Sequence, residues 1–232
     1  MEHKRLTLFA GHYGSGKTNI AVNYAISLAK EGKQVCIGDL DIVNPYFRTA
    51  DSAKELHSAG VTLISPQFAN SNVDLPALPA EAYRLVEDKS IFGIMDIGGD
   101  DRGAYALGRY VPAIKAEGNY RMVFVANCYR PLTRTPEEAM EVMAEIEAAC
   151  GLAFTDIVNN SNLGPETTAQ TLLDSLDYIE KLSKLSGLPV FAHTAEYTVA
   201  EALGNRLHPL LPLRLQEKYF DLPDQKSFSW PE

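Results

Sequence analysis

Apolar residues along this chain switch between two periods. Leu6-Thr7-Leu8-Phe9-Ala10 is a continuous run of strand type. The stretch behind it sets Ile20, Ala21, Tyr24, Ala25, Leu28 and Ala29 on one helical face, and Gly32 with Lys33 supplies the stop. A second strand is predicted over residues 34–38, ending on Asp39-Leu40-Asp41. Asn44-Pro45-Tyr46 breaks the chain before a short helix over 51–59, and Val61-Thr62-Leu63-Ile64 reads as a third strand. Residues 65–79 carry three prolines and little periodicity, which predicts a loop long enough to be functional.

The alternation then continues. A short helix over 81–87 precedes Ile91-Phe92-Gly93-Ile94-Met95, which has no polar position, as expected of a parallel strand buried on both faces. That run closes on Asp96-Ile97-Gly98-Gly99. A helix over 104–114 and a strand over 122–126 follow. Thr135-Pro136-Glu137-Glu138 opens the next helix with a capping box and proline at its first position, and Gly151 ends it. A strand over 154–158 ends on Asn159-Asn160. The helix after Pro165 carries Ala169, Leu172, Leu173, Leu176, Ile179 and Leu182 on one face, with Gly187 as its stop. Residues 188–192 are expected to be the last strand and 197–203 a helix, with the tail from Pro209 packed onto the domain. The pattern predicts one α/β domain with a doubly wound, mostly parallel sheet and helices on both faces.

Between the first strand and the first helix lies Gly11-His12-Tyr13-Gly14-Ser15-Gly16-Lys17-Thr18, which fits the phosphate-loop pattern G-x-x-x-x-G-K-[ST]. The motif carries meaning only between a strand and a helix, and here both flanks are in place. Its glycines let consecutive N–H groups converge on one anion, and the positive end of the helix faces the same point. Lys17 reaches the outer phosphates, and the Thr18 hydroxyl is a ligand for Mg²⁺. The expected ligand is a nucleoside triphosphate.

Composition narrows the setting. A chain of 232 residues, 46% hydrophobic, has enough material for one sizeable core. Its formal net charge of -9 and its lack of a Lys/Arg run speak against non-specific binding to nucleic acid or anionic membranes. Cys36, Cys128 and Cys150 are scattered with no C-x-x-C, which suits a reducing compartment. No signal-peptide core and no apolar stretch of membrane-spanning length occur, so a cytoplasmic protein is expected.

Ligands of open α/β sheets sit at the carboxyl ends of the strands. Four such ends here carry polar groups: the phosphate loop, Asp39 with Asp41, Asp96 with Gly98-Gly99, and Asn159-Asn160. Asp96 is placed as a direct or water-mediated Mg²⁺ ligand. Asp39 and Asp41 share one side of an extended strand, so one supports Mg²⁺ while the other orients or deprotonates the attacking water. Gly98-Gly99 permits a backbone N–H to approach the γ-phosphate and swing away after hydrolysis.

GHYGSGKT, GDLDIVNPYFR, IMDIGG and IVNN, in that order, resemble the MinD/ParA/CobQ-type P-loop ATPases over roughly residues 5–203. That class also holds the nitrogenase iron protein and dethiobiotin synthetase. The resemblance implies a seven- or eight-stranded sheet, MgATP as ligand and, often, a homodimer. It gives Lys17 and Thr18 to phosphate and Mg²⁺, Asp41 to the attacking water, Asp96 to the Walker B position, and Asn159 or Asn160 to adenine. Residues 193–196 would form a loop on the other side of the base. Where many members carry a second lysine that reaches the partner's phosphate, this chain has His12. Cluster cysteines of the iron-binding members are absent, so no iron–sulfur cluster is expected. Asn159-Asn160-Ser161-Asn162 lacks the carboxylate of a guanine-reading N-K-x-D, which favours ATP over GTP.

Two functions compete at this level. One is a slow ATPase switch acting on an unidentified protein partner, with residues 44–48 and 65–79 as contact surfaces. The alternative is an ATP-dependent ligase or synthetase that phosphorylates a small carboxylate acceptor, as dethiobiotin synthetase does.

Overall fold

The computed structural model describes residues 3–40, 49–65, 80–98 and 101–215, with backbone alone at 50, 51, 80 and 101–103. Its frame is one sheet of eight strands, each paired parallel to its neighbours. The strands are β1 (Leu6–Ala10), β2 (Val35–Leu40), β3 (Thr62–Ile64), β4 (Phe92–Ile97), β5 (Tyr120–Ala126), β6 (Asp156–Asn159), β7 (Val190–Glu196) and β8 (Leu210–Leu213). They lie in the order β3-β2-β4-β1-β5-β6-β7-β8. The helices are α1 (Lys17–Lys30), α2 (Ala53–Ser58), α3 (Arg84–Glu87), α4 (Asp101–Gly108), α5 (Val111–Glu117), α6 (Pro136–Cys150), α7 (Ala169–Asp174), α8 (Leu176–Ser186) and α9 (Tyr197–Leu203).

Two apolar layers sandwich the sheet. Alternate residues of β1 serve opposite layers: Leu6, Leu8 and Ala10 join α3, α4, α5, α6 and α8, while Phe9 joins α1 and α2. All five β1 residues are buried, so the strand that launches the phosphate loop is held from both faces. Helix α3 comes unusually close to the sheet. A Cβ on Gly38 would stand 2.4 Å from a Leu85 methyl, and one on Gly93 would stand 2.9 Å from the Leu85 carbonyl oxygen.

Arg5 closes that corner. Its guanidinium donates to the carbonyls of Leu85 (3.0 Å), Val86 (3.3 Å), Asp88 (3.0 Å) and Ile91 (3.2 Å), and it pairs with Glu117 at the end of α5. Burial alone would raise the Glu117 carboxyl pKa. The hydrogen bonds from Arg5 and Lys89 outweigh it and hold the value below normal.

Three elements differ from the periodicity. The helix expected over 104–114 is two, α4 and α5, broken at Arg109-Tyr110 with Pro112 in the first turn of α5. The long helix after Pro165 is also two, because Ser175 turns its hydroxyl back onto the Leu172 carbonyl (2.7 Å) between α7 and α8. Residues 210–213, expected within a packed tail, form an eighth strand beside β7. The loop 65–79, apart from Ser65, and the segment 44–48 lie outside the described residues, as do Asp41 and Gly99.

Candidate nucleotide site

The phosphate loop turns between β1 and α1 under close constraint. Gly16 adopts φ +93 as the residue capping α1, and a Cβ there would fall 2.2 Å from the Asn160 amide nitrogen. A Cβ on Gly11 would meet the Val125 carbonyl oxygen at 2.7 Å. Inside the turn, Ser15 N–H donates to the His12 carbonyl (3.1 Å) and Lys17 Nζ donates to the same oxygen (3.3 Å). Ser15, Lys17 and Thr18 are buried; Tyr13 and Gly14 face solvent. The amino end of α1 has no side-chain cap and no acidic residue in its first turn, so its positive dipole end faces the loop without a competing carboxylate. His12 folds back, its Nδ1–H donating to the Tyr13 carbonyl (3.0 Å).

Asp39 and Asp96 sit opposite one another in the β2–β4 register, both buried, and Asp96 is two register positions from the start of the loop through its pairing with Phe9. The hydroxyl of Thr49, itself fully buried, donates to Asp96 Oδ2 (2.9 Å). Two buried carboxylates near the ends of β2 and β4, and the Thr18 hydroxyl at the head of α1, are oxygen donors of the kind that suit the oxygen-only and largely water-filled shell of Mg²⁺. Among the described residues no cluster of three or more His, Cys, Asp or Glu forms an all-protein metal cage.

From the loop a cleft of about 560 Å³ runs along the ends of β6, β7 and β8. Gly14, Gly16, Lys17 and Thr18 form its loop end; Asn160, Thr194, Ala195, Glu196, Val199 and Leu213 continue it. A nucleotide-sized ligand fits this volume, with a charged end and a mainly apolar end.

The asparagine pair is placed differently from expectation. Asn159 is fully buried behind the cleft: its amide donates to Ser175 Oγ (2.9 Å) and to His193 Nδ1 (3.2 Å), and its oxygen accepts from Ser161 N–H (3.2 Å). It has no free edge for adenine. Asn160 does line the cleft, but its amide holds the loop, donating to the Ser15 carbonyl (2.6 Å) and accepting from Thr194 Oγ1 (2.5 Å). Residues 193–196 belong to β7 rather than to a loop. His193 points behind the strand, where burial lowers its pKa. Glu196 caps α9 by accepting from Thr198 N–H (2.9 Å) and from the Thr198 hydroxyl, which keeps its carboxyl below the usual pKa.

Sequence reading passed over Arg130, which stands in the cleft wall beside Gly14. Its signal was its distance from β5: it lies four residues beyond the carboxyl end of that strand, where ligand contacts of such sheets gather.

No protein-family model matches the chain, and no curated protein matches it. Solved structures do. FtsY from Mycoplasma mycoides is 14% identical with a TM-score of 0.54, the match covering 81% of this chain and 58% of that one. The cell division protein FtsY from Thermotoga maritima is 17% identical with a TM-score of 0.54, covering 82% and 60%. Chloroplast FtsY from Physcomitrella patens is 16% identical with a TM-score of 0.50, covering 82% and 58%. The chain thus spans about three fifths of the length of these neighbours. At such identity the likeness is one of fold. The fold is that of the P-loop NTPases, a parallel eight-stranded sheet flanked by helices. Among the described residues no helix is long and apolar enough to cross a membrane.

Proposed function

We propose that this protein binds a purine nucleoside triphosphate with Mg²⁺ in the cleft, hydrolyses it slowly, and thereby switches its affinity for a protein partner. The observation that carries the reading is the continuity of the cleft with the amino end of α1, where Lys17 and Thr18 lie buried at the phosphate end. Lys17 compensates the charge of the outer phosphates, and the loop N–H groups fix their orientation. Thr18, with Asp96 and Asp39 behind it, would hold Mg²⁺, which would supply neutralisation of the phosphate charge. Asp41, outside the described residues, is assigned the attacking water.

ATP is the proposed nucleotide. Asn160 is the asparagine that holds the loop, and the position three residues on, where a guanine-reading carboxylate belongs, is Leu163, exposed at 46%. One observation supports a GTP reading instead: Glu196 is an acidic residue of the cleft wall, within the stretch given to the base. Phosphate release from MgATP and MgGTP decides between them. We expect slow release with ATP, loss of binding by at least a hundredfold in Lys17→Ala, and retained binding without turnover in Asp41→Ala. Release that begins only when a carboxylate acceptor is added would replace the switch by a ligase. Normal turnover by Asp41→Ala would remove that residue from the chemistry.

A further inference from the structure

Lys17 is the one Lys or Arg of the phosphate loop, and the His12 ring turns its Nδ1 back onto the Tyr13 carbonyl. Across the cleft mouth stands a second cation. The Nε of Arg130 lies 4.0 Å from the Cβ position of Gly14, and its side chain lines the cleft together with Gly14, Gly16 and Lys17. That Nε is shut off from solvent and has no hydrogen-bond partner. A buried donor on a charged group without an acceptor is unfavourable, and native proteins rarely keep one unless something else completes it.

We propose that Arg130 is a second phosphate-binding residue of this cleft, donating from its guanidinium to the phosphate chain of the nucleotide that Lys17 and the loop amides hold. The inference rests on the nucleotide reading above and adds the residue that meets the side of the phosphates Lys17 does not cover. A guanidinium presents several N–H groups in a fixed fork, and phosphate oxygens are its best-matched acceptors.

The backbone under Arg130 is set in advance. Asn127 Oδ1 accepts from Tyr129 N–H (3.0 Å) and from Asn162 N–H (3.3 Å), and the Asn127 carbonyl accepts from Thr133 Oγ1 (2.8 Å). Cys128 N–H donates to Ser161 Oγ (3.2 Å), which ties the same segment to the end of β6. Gly14, in a left-handed turn at φ +74, brings the loop within van der Waals reach of the guanidinium. A donor so placed loses little freedom when a phosphate arrives.

Titration with fluorescently labelled MgADP and MgGDP tests this without interference from hydrolysis, with unlabelled adenosine and guanosine as competitors. The chains are wild type, Arg130→Ala, Arg130→Lys and Lys17→Ala. Arg130→Ala is expected to weaken diphosphate binding by roughly tenfold or more. It should leave nucleoside competition unchanged, and Arg130→Lys should recover part of the loss. A melting temperature near that of the wild type shows that the fold is intact; if Arg130→Ala melts early, Arg130→Gln takes its place. Unchanged diphosphate affinity overturns the proposal, and so does an equal loss for the nucleoside, which would assign the guanidinium to the base. Failure of the nucleotide reading looks different, because the wild type would then bind neither diphosphate.

Discussion

At Gly16 the choice of residue is decided twice, by a left-handed backbone and by the Asn160 amide 2.2 Å from where a Cβ would lie. Gly16→Ala therefore strains the turn and pushes Asn160 off the Ser15 carbonyl at once. Asn160→Ala tests the second effect alone. It removes the amide donor to the Ser15 carbonyl and leaves the Thr194 hydroxyl only its longer bond to the Asn159 carbonyl (3.2 Å), which costs about 1–3 kcal/mol for buried groups. Its nucleotide affinity should fall while Lys17 and Thr18 remain intact, and denaturant unfolding of the same variant should show the stability loss. The sequence set Lys17 and Thr18 at the head of the first helix and Asp39 and Asp96 near strand ends, and the structure has them at those places in α1, β2 and β4. The sequence could not show that Asn159 turns away from the cleft, because Ser175 and His193 that engage it lie 16 and 34 residues further along.

Elements were legible where one period ran uninterrupted. The eight-residue motif between β1 and α1, and the capping box that starts α6, stand in the structure as the sequence placed them. Legibility failed where a single side chain or a tertiary contact decided the outcome. Ser175 keeps the helical period running across a break, and Leu210–Leu213 becomes a strand through its pairing with β7 rather than through any alternation of its own. The corner made by α3, α5 and the start of β1 depends on a tertiary contact in the same way. Arg5→Ala would leave Glu117 buried without its main partner and free four carbonyls of the α3 segment. A loss of about 3–5 kcal/mol in unfolding free energy is expected, measured in denaturant against wild type. Little change in that measurement would mean that Lys89 suffices for Glu117.

Across the whole molecule, the centre of the sheet is the strand that enters the site. β1 lies between β4 and β5, and the carboxyl ends of β2, β4, β6 and β7 fan out around the loop that follows it. The same compactness sets a pH dependence. His193 is held neutral by burial, so its folded pKa lies below the ordinary value of about 6.5. Above that value both folded and unfolded chains are neutral there and nothing is lost. As pH falls below about 6.5 the unfolded chain takes up a proton that the folded one resists, and stability declines until the folded pKa is passed. The melting temperature should therefore drop between pH 7.5 and 5.5, and His193→Gln should flatten that drop whatever its effect at pH 7.5. An unchanged slope would remove His193 as its source.

The position of β8 has a consequence in time. Leu213 closes the cleft from the far edge of the sheet, and Arg214 is tied to α1 through Asn23, whose amide and carbonyl bond its backbone at 2.9 and 2.8 Å. The phosphate loop leaves the ribosome roughly 200 residues before this wall, a delay of about 10–40 s at ordinary elongation rates. During that interval the loop has no cleft to serve. A ligand of the complete cleft would then add its stabilisation late, to a chain whose far wall has closed.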